Sequence, residues 1–253
     1  FTLKKKQKSV IKKKSTVMLM GGKGKRMSGI TRYKPFILVN KTPIFKHIFN
    51  KLNSKEKIII TNNNLRKKIN NKKFKILITK PTNSMFDTIY KNKYFISNKS
   101  NYFLTSCDCV GINNSKKLEG FLNKNKKDLV YFAFNFSYFQ KKLGDSHSHI
   151  VINKKKINIK VKSSYRGPGY GHAGYFWIKN SKVFKFLDMF KNSSLYKGFK
   201  REILIDDYFK NLLDKKLISS NYYLLDDYIH IGSEKEYREY KYWDNYFNEK
   251  KYF

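Results

Sequence analysis

Residues 17–39 read VMLMGGKGKRMSGITRYKPFILV. Four apolar residues run directly into Gly21 and Gly22, then Gly24, a cluster of bases, and Lys34-Pro35. An unbroken apolar run ended by glycines is the pattern of a strand buried on both faces. The glycines permit positive φ and leave backbone N–H groups uncovered, so phosphate oxygens can approach closely. Arg26 adds a forked cation suited to bidentate phosphate binding, and Lys34 a point charge. Pro35 breaks any helix and directs the chain into Phe36–Val39. The spacing is neither the Walker pattern nor the dinucleotide-binding one. A lone glycine-rich loop is an ordinary strand–turn–helix connection. A strand, three glycines, an arginine and Lys-Pro in this order form a far more restrictive set.

Downstream, short apolar runs alternate with helical patterns. KTPIFKHIFNKL (41–52) carries Ile44, Phe45, Ile48, Phe49 and Leu52 at helical spacing, with Thr42 as the expected N-cap and Pro43 as the first helical residue. EKIIIT (56–61) and KFKILIT (73–79) read as strands around a short helix or turn. NSMFDTIYKNKYFI (83–96) reads as one helix, and NYFLTSC (101–107) as a strand delivering Asp108 to its C-terminal end. SKKLEGFLNKN (115–125) is a helix and DLVYFAFN (128–135) a strand. SHIVINKKKINIKVKSS (148–164) alternates apolar and polar residues around a turn at 153–155, as a hairpin does; GHAGYFWIK (171–179) is a further strand. SKVFKFLDMF (181–190) and ILIDDYFKNLLDKK (203–216) are helices, YYLLDDYIHIG (222–232) one late strand. SEKEYREYKYWDNYF (233–247) opens on a capping box of Ser233 with Glu236 and reads as a terminal helix. The alternation predicts an α/β fold: a doubly wound, mostly parallel sheet flanked by helices, with a small antiparallel hairpin region on the substrate side. Residues 1–15 read as a basic arm or linker, and 16–253 as a single domain. No internal repeat is present.

A hydrophobic content of 40% with 17% aromatics belongs to a folded globule, not a disordered tail. The formal charge of +37 suggests a polyanion partner. Yet Lys, Asn, Ile, Phe and Tyr are inflated together along the whole chain, so the lysines spread over all faces and imply no specific nucleic acid. Cys107 and Cys109, one residue apart on a strand, form no disulfide framework and lack the second pair a zinc site needs. Cysteine usage points to an intracellular, cytoplasmic protein. No apolar run approaches the ~20 residues of a membrane helix, and the N-terminal arm lacks a signal peptide's apolar core. The first residue is Phe, as in a piece of a longer protein; this leaves room for an N-terminal fusion partner or a homo-oligomer.

The ordered set GGKGKRM…KP resembles the N-terminal motif of the sugar-1-phosphate nucleotidylyltransferases, approximately G-G-x-G-[TS]-R-[LM] followed by K-P. KPTNSMFDTIY (80–90) resembles the segment lining that family's nucleotide pocket, and FLTSCDC (103–109) the strand ending in its metal-binding aspartate. INIKVKSS…GHAGYFWIKNSKVF resembles the sugar-side hairpin and following strand, and DDYIHIGSEKEYREYKYW the closing region. The likeness spans residues 16 to about 247. It implies that a sugar 1-phosphate oxygen attacks the α-phosphorus of an NTP, with pyrophosphate leaving and Mg²⁺ as cofactor. On this basis Gly21, Gly22 and Gly24 would cradle the triphosphate, with Lys25 and Ser84 also on the nucleotide side. Arg26 would stabilise departing pyrophosphate, Lys34 would clamp the reacting phosphates, and Asp108 would hold Mg²⁺. Lys162 and Gly174 fall at the family's sugar-phosphate lysine and sugar-side glycine, and His172 would touch the sugar.

Lys25 replaces the family's Thr or Ser, Ser84 its frequent glycine beside the base, and His230 its second metal-ligating aspartate. Imidazole is a poorer Mg²⁺ ligand than carboxylate, so Asp226 or Asp227 are alternatives. The HSH stretch, His147 and His149, reads as a solvated polar loop with no third ligand. Two other functions stay open: a phosphocholine-type cytidylyltransferase of the same fold, and a degraded relative that only binds polyanions. A glycosyltransferase is disfavoured by the absence of an Asp-x-Asp pair around Asp108.

Overall fold

The computed structural model describes residues 14–22, 27, 29, 31, 33–69, 73–136, 147–153, 156–163, 165 and 167–249. Strand β1 (Ser15–Met20) is buried at every position, as the apolar run requires of a central strand. It pairs in parallel with β4 (Glu56–Thr61) on one side and β6 (Tyr102–Thr105) on the other, and β5 (Lys75–Ile78) extends the parallel set beyond β4. The long strand β11 (Tyr170–Ile178) runs antiparallel between β6 and β8 (Leu129–Phe134), and β12 (Ser220–Leu224) closes that edge parallel to β8. The hairpin of β9 (His149–Asn153) and β10 (Lys156–Lys160) joins at the start of β11, completing a nine-stranded sheet. The expected mostly parallel sheet with an antiparallel hairpin is thus observed, with β11 as the strand that reverses direction.

Alternating side chains of β1 feed two cores. Met18 and Met20 pack with Ile44, Phe45, Ile48 and Phe49 of α1 (Ile44–Lys51) and with Leu118 and Leu122 of α5 (Ser115–Lys124). Val17 and Leu19 face Phe86 and Ile89 of α3 (Met85–Lys91) and the apolar side of α8 (Ile205–Asp214). Helices therefore cover both faces, and the C-terminal ends of the parallel strands are left for a site.

Several local expectations shift. Thr42 is not the N-cap of α1: Thr42–Pro43 forms a short strand β3 paired with β2 (Leu38–Val39), and the helix begins after Pro43. The pairing holds because the Ile44 amide donates to the Ile37 carbonyl at 2.8 Å. The segment 83–96 divides at Asn92 into α3 and α4 (Lys93–Ser97), since the Asn92 side chain donates to the Thr88 carbonyl. Residues 181–190 divide into a 3-10 turn (Ser181–Phe184) and α6 (Leu187–Lys191), ahead of α7 (Ser194–Gly198). Short helix α2 (Asn63–Arg66) is capped by Asn62. The late apolar run is two strands, not one. Leu225–Asp226 breaks it, and β13 (Asp227–His230) leaves the main sheet to pair with β7 (Cys109–Ile112). The terminal helix α9 (Glu234–Glu249) follows with half of its expected capping box: the Ser233 hydroxyl accepts from the Glu236 amide, but the Glu236 carboxylate accepts from the Ser233 hydroxyl and the Gly232 amide rather than the Ser233 amide. No helix among the described residues is long and apolar enough to cross a membrane.

Candidate active site

The parallel register builds the site. Met18 pairs with Thr105, so Gly21 and Asp108 each lie three residues beyond the same rung, at the C-terminal edge of neighbouring strands. Gly21 packs close to Thr82 and Thr88: an added Cβ would stand 3.2 Å and 3.3 Å from their hydroxyl oxygens, whereas Gly22 has open space. Those two hydroxyls hydrogen-bond to each other at 2.6 Å, and Thr88 donates to the Ser84 carbonyl. Ser84 itself caps α3, its side chain accepting from the Asp87 amide at 2.9 Å. Gly24, Lys25 and Arg26 lie outside the described residues.

Lys34 sits on a 3-10 turn (Lys34–Phe36) and reaches across 74 residues to Asp108, Nζ to Oδ2 2.5 Å, with a second bond of 3.0 Å to the Gly232 carbonyl. Both side chains are largely buried, at 11% and 14% exposure. Burial alone would raise the Asp108 pKa, but the adjacent Lys34 charge and hydrogen bonding from His230 hold it well below the usual carboxylate range.

The β7–β13 ladder brings His230 opposite Cys109, and the Ile231 amide donates to the Asp108 carbonyl at 2.8 Å. His230 therefore faces two carboxylates: Nε2 lies 3.7 Å from Asp108 Oδ2, and Nδ1 lies 2.6 Å from Glu236 Oε1. Burial would lower its pKa, yet Asp108 and Glu236 together raise it. The other Glu236 oxygen accepts from the Gly232 amide at 3.1 Å and the Ser233 hydroxyl at 2.8 Å. Gly232 is required for space: a Cβ there would meet the His230 ring at 2.2 Å. Asp226 and Asp227 do not join this corner. Their strand begins three rungs away, where Asp226 accepts from the Asn114 amide and Asp227 from its neighbour Tyr228.

Gly174 does join it. It adopts φ +71°, its carbonyl accepts from the Ser106 amide, and a Cβ would approach Ser106 Oγ to 2.8 Å. His172 turns to the other side of the sheet, where Nδ1 lies 3.2 Å from Asp206 Oδ1 and Nε2 lies 3.2 Å from the Tyr175 carbonyl. Ser148 donates to the same carboxylate at 2.7 Å. Lys162, with φ +37°, is close enough for its charge to help lower the Asp206 pKa. The site residues thus form two groups. Gly21, Lys34, Asp108, Gly174 and His230 share one corner, while His172 and Lys162 gather around Asp206.

Sequence reasoning missed two members of the corner. His147 is not solvated but 5% exposed, and His149 is 6% exposed, because Phe134, Phe136 and Tyr228 pack around them. Glu236 reads from sequence only as a cap. The cysteines are free thiols, with Cys107 pushed up to about 12 by burial and by the Asp108 charge. Among the described residues Asp108 is the carboxylate that would serve a Mg²⁺ ion here, since the Glu236 oxygens are engaged by His230, Gly232 and Ser233; such an ion is commonly held by one or two carboxylates plus substrate phosphates.

No protein-family model matches the sequence, and no curated protein matches it. Solved structures do. A Bacillus anthracis protein described as a glucose-1-phosphate thymidylyltransferase, in complex with a sucrose, is 16% identical. It aligns over 89% of this chain and 93% of its own, with a TM-score of 0.69. An inositol-1-phosphate CTP transferase from T. maritima is 14% identical over 90% and 94%, with a TM-score of 0.70. A nucleoside-diphosphate-sugar pyrophosphorylase from Vibrio cholerae RC9 is 16% identical over 89% and 98%, with a TM-score of 0.65. The likeness spans nearly the whole of each neighbour, and the chain has the sugar-1-phosphate nucleotidylyltransferase type of α/β fold.

Proposed function

We propose that the chain is a nucleotidyltransferase joining an NTP to a sugar 1-phosphate. A phosphate oxygen of the acceptor attacks the α-phosphorus, the bond to the bridging oxygen of the β-phosphate breaks, and pyrophosphate leaves. No covalent nucleophile from the protein is needed. The requirement is to align two polyanions and to offset their repulsion and the charge growing on the leaving group. The observation that carries this reading is the Lys34–Asp108 pair held at the strand edge beside Gly21. It supports the reading because a cation and an ionised carboxylate stand together just past the ends of the parallel strands, where β1 ends in Gly21 and Gly22.

In this reading Gly21, Gly22 and Gly24 receive the phosphates on their N–H groups, with Lys25 beside them, and Arg26 neutralises the departing pyrophosphate. Lys34 draws the reacting phosphates together, and Asp108 holds Mg²⁺, whose chemistry is charge neutralisation along the triphosphate. The Thr82–Thr88 hydroxyl pair under Gly21, with Ser84 behind it, forms the nucleoside side. Gly174 lets β11 pass close to Ser106 beside Asp108, and in this reading Lys162 and His172 would act from the separate group around Asp206. The inositol-phosphate neighbour keeps a second acceptor class open, a phosphomonoester that is not a sugar.

The test is pyrophosphate release from each NTP against a panel of sugar 1-phosphates, inositol 1-phosphate and phosphocholine, with Mg²⁺. Release with one pair, reduced at least 100-fold in Arg26→Ala and Asp108→Asn, is expected. No release with any pair, together with no saturable NTP binding, would refute the reading.

A further inference from the structure

His147, His230 and Glu236 come from three separate elements: the residue pair before β9, the end of β13 and the first turn of α9. One ligand atom from each lies within 4.8 Å of the others. Glu236 Oε1 is their common point, 2.6 Å from His230 Nδ1 and 3.5 Å from His147 Nε2. A hydrogen-bonded network explains the first contact but not the second. Among the described residues, His147 Nε2 is fully buried and makes no hydrogen bond, only the 3.5 Å approach to Glu236, and an orphaned buried imidazole nitrogen calls for an explanation.

We propose that these three side chains hold a divalent transition-metal ion of the zinc type, at a site distinct from the Mg²⁺ position at Asp108. Metal–ligand bonds of ~2.1 Å in tetrahedral geometry set ligand atoms ~3.3 Å apart. The widest separation therefore needs to close by no more than about 1.5 Å and the Glu236–His230 contact of 2.6 Å to open by about 0.7 Å, within the reach of ordinary side-chain rotation. Two imidazoles and one carboxylate match zinc-type ions and suit Mg²⁺ poorly, because Mg²⁺ prefers six oxygens. On binding, His230 Nδ1 gives up to solvent the proton it would otherwise share with Glu236. Its remaining proton then sits on Nε2, which faces Asp108. The result is a carboxylate–histidine–metal relay that fixes the ring and orients Asp108. Phe134 and Tyr228, stacked 4.0 Å apart, and the His147 ring at 4.7 Å from His230 supply a dry wall. A cleft of about 310 Å³ lined by Tyr228, His230, Glu236 and Tyr240 gives the ion a path in.

The test uses the tag-free full chain, stripped with chelator and titrated with Co²⁺ alone. One equivalent is expected to raise a visible ligand-field absorption that survives a ~1000-fold excess of Mg²⁺. His147→Ala should weaken Co²⁺ binding at least 100-fold, while His149→Ala, two residues away, should not. Should His147→Ala lose its native circular dichroism, His147→Gln replaces it with the same expectation. Absence of the band, a band unaltered by the His147 change, or a band removed by Mg²⁺ overturns the proposal. Pyrophosphate release is not read in this experiment, so the site stands or falls separately from the nucleotidyl-transfer reading.

Discussion

Replacing Lys34 with methionine keeps the stem of the side chain and deletes its charge. At 2.5 Å and an effective dielectric of about 20, the Lys34–Asp108 attraction is roughly 7 kcal/mol before desolvation is counted. Removing one partner of a buried pair typically costs about 3–5 kcal/mol, because the other charge is stranded. Asp108 is not wholly stranded here, since the His230 ring remains 3.7 Å from the same oxygen. The Gly232 carbonyl also loses its donor, worth about 1 kcal/mol. Lys34→Met should therefore cost about 3–4 kcal/mol. The paired change Lys34→Met with Asp108→Asn should recover at least about 2 kcal/mol of that, because a carboxamide needs no counter-charge.

Urea unfolding followed by the fluorescence of buried Trp177 and exposed Trp243 and by circular dichroism measures all four members of the cycle. The coupling should change little between low and high salt, as a pair at 11% and 14% exposure is weakly screened. A Lys34→Met cost below about 1 kcal/mol, the range of exposed pairs, would refute the reasoning. A coupling energy of zero would do so as well.

Gly174→Ala should lose about 2 kcal/mol, from a left-handed backbone and from the 2.8 Å approach to Ser106 Oγ; adding Ser106→Ala should return only the second part in the same urea assay. Asp206 is buried, which alone would raise its pKa, but His172, Ser148 and Lys162 bring the net value down. Its stabilising charge is therefore present above the ordinary carboxylate pKa of about 3.9 and lost as pH falls through the lower native value. Asp206→Asn should accordingly cost about 2–3 kcal/mol at pH 6, and the gap from wild type should close below about pH 4; a gap that widens in acid would contradict this. His230→Asp sets a second carboxylate beside Asp108 and should make the melting temperature rise with Mg²⁺ in the absence of NTP, a dependence the wild type should show only weakly. Differential scanning fluorimetry reads both proteins, and equal Mg²⁺ responses would count against Asp108 and position 230 sharing an ion.

What could be read from the sequence divides along a physical line. β1, β4, α1 and α5 were legible because their apolar periodicity is a local signal that the core simply honours. The late run 222–232 was not. Its apolar residues are continuous, yet Asp226 is drawn to the Asn114 amide and the strand changes sheets there. Periodicity says that a strand exists, not which neighbour it pairs with. The same limit hid His147. A polar HSH stretch reads as exposed, and only the distant rings of Phe134 and Tyr228 bury it.

Glu236 and Ser84 show a subtler masking. Each satisfies a local capping rule, Glu236 accepting from Ser233 at the start of α9 and Ser84 as the N-cap of α3; Ser84 was singled out only through the resemblance, and Glu236 was given no role beyond its cap. Yet Glu236 also binds His230 and the Gly232 amide, and through them it connects the terminal helix to the carboxylate that Lys34 neutralises. The long-range pair itself carried no local signal at all, since a lysine before a proline and an aspartate after a strand are common. What made Lys34 and Asp108 readable was the resemblance of GGKGKRM…KP and FLTSCDC to the nucleotidylyltransferase pattern, and the parallel sheet explains why the two meet. In such a sheet every strand ends at the same edge, so residues just past successive strand ends converge however far apart they lie in sequence.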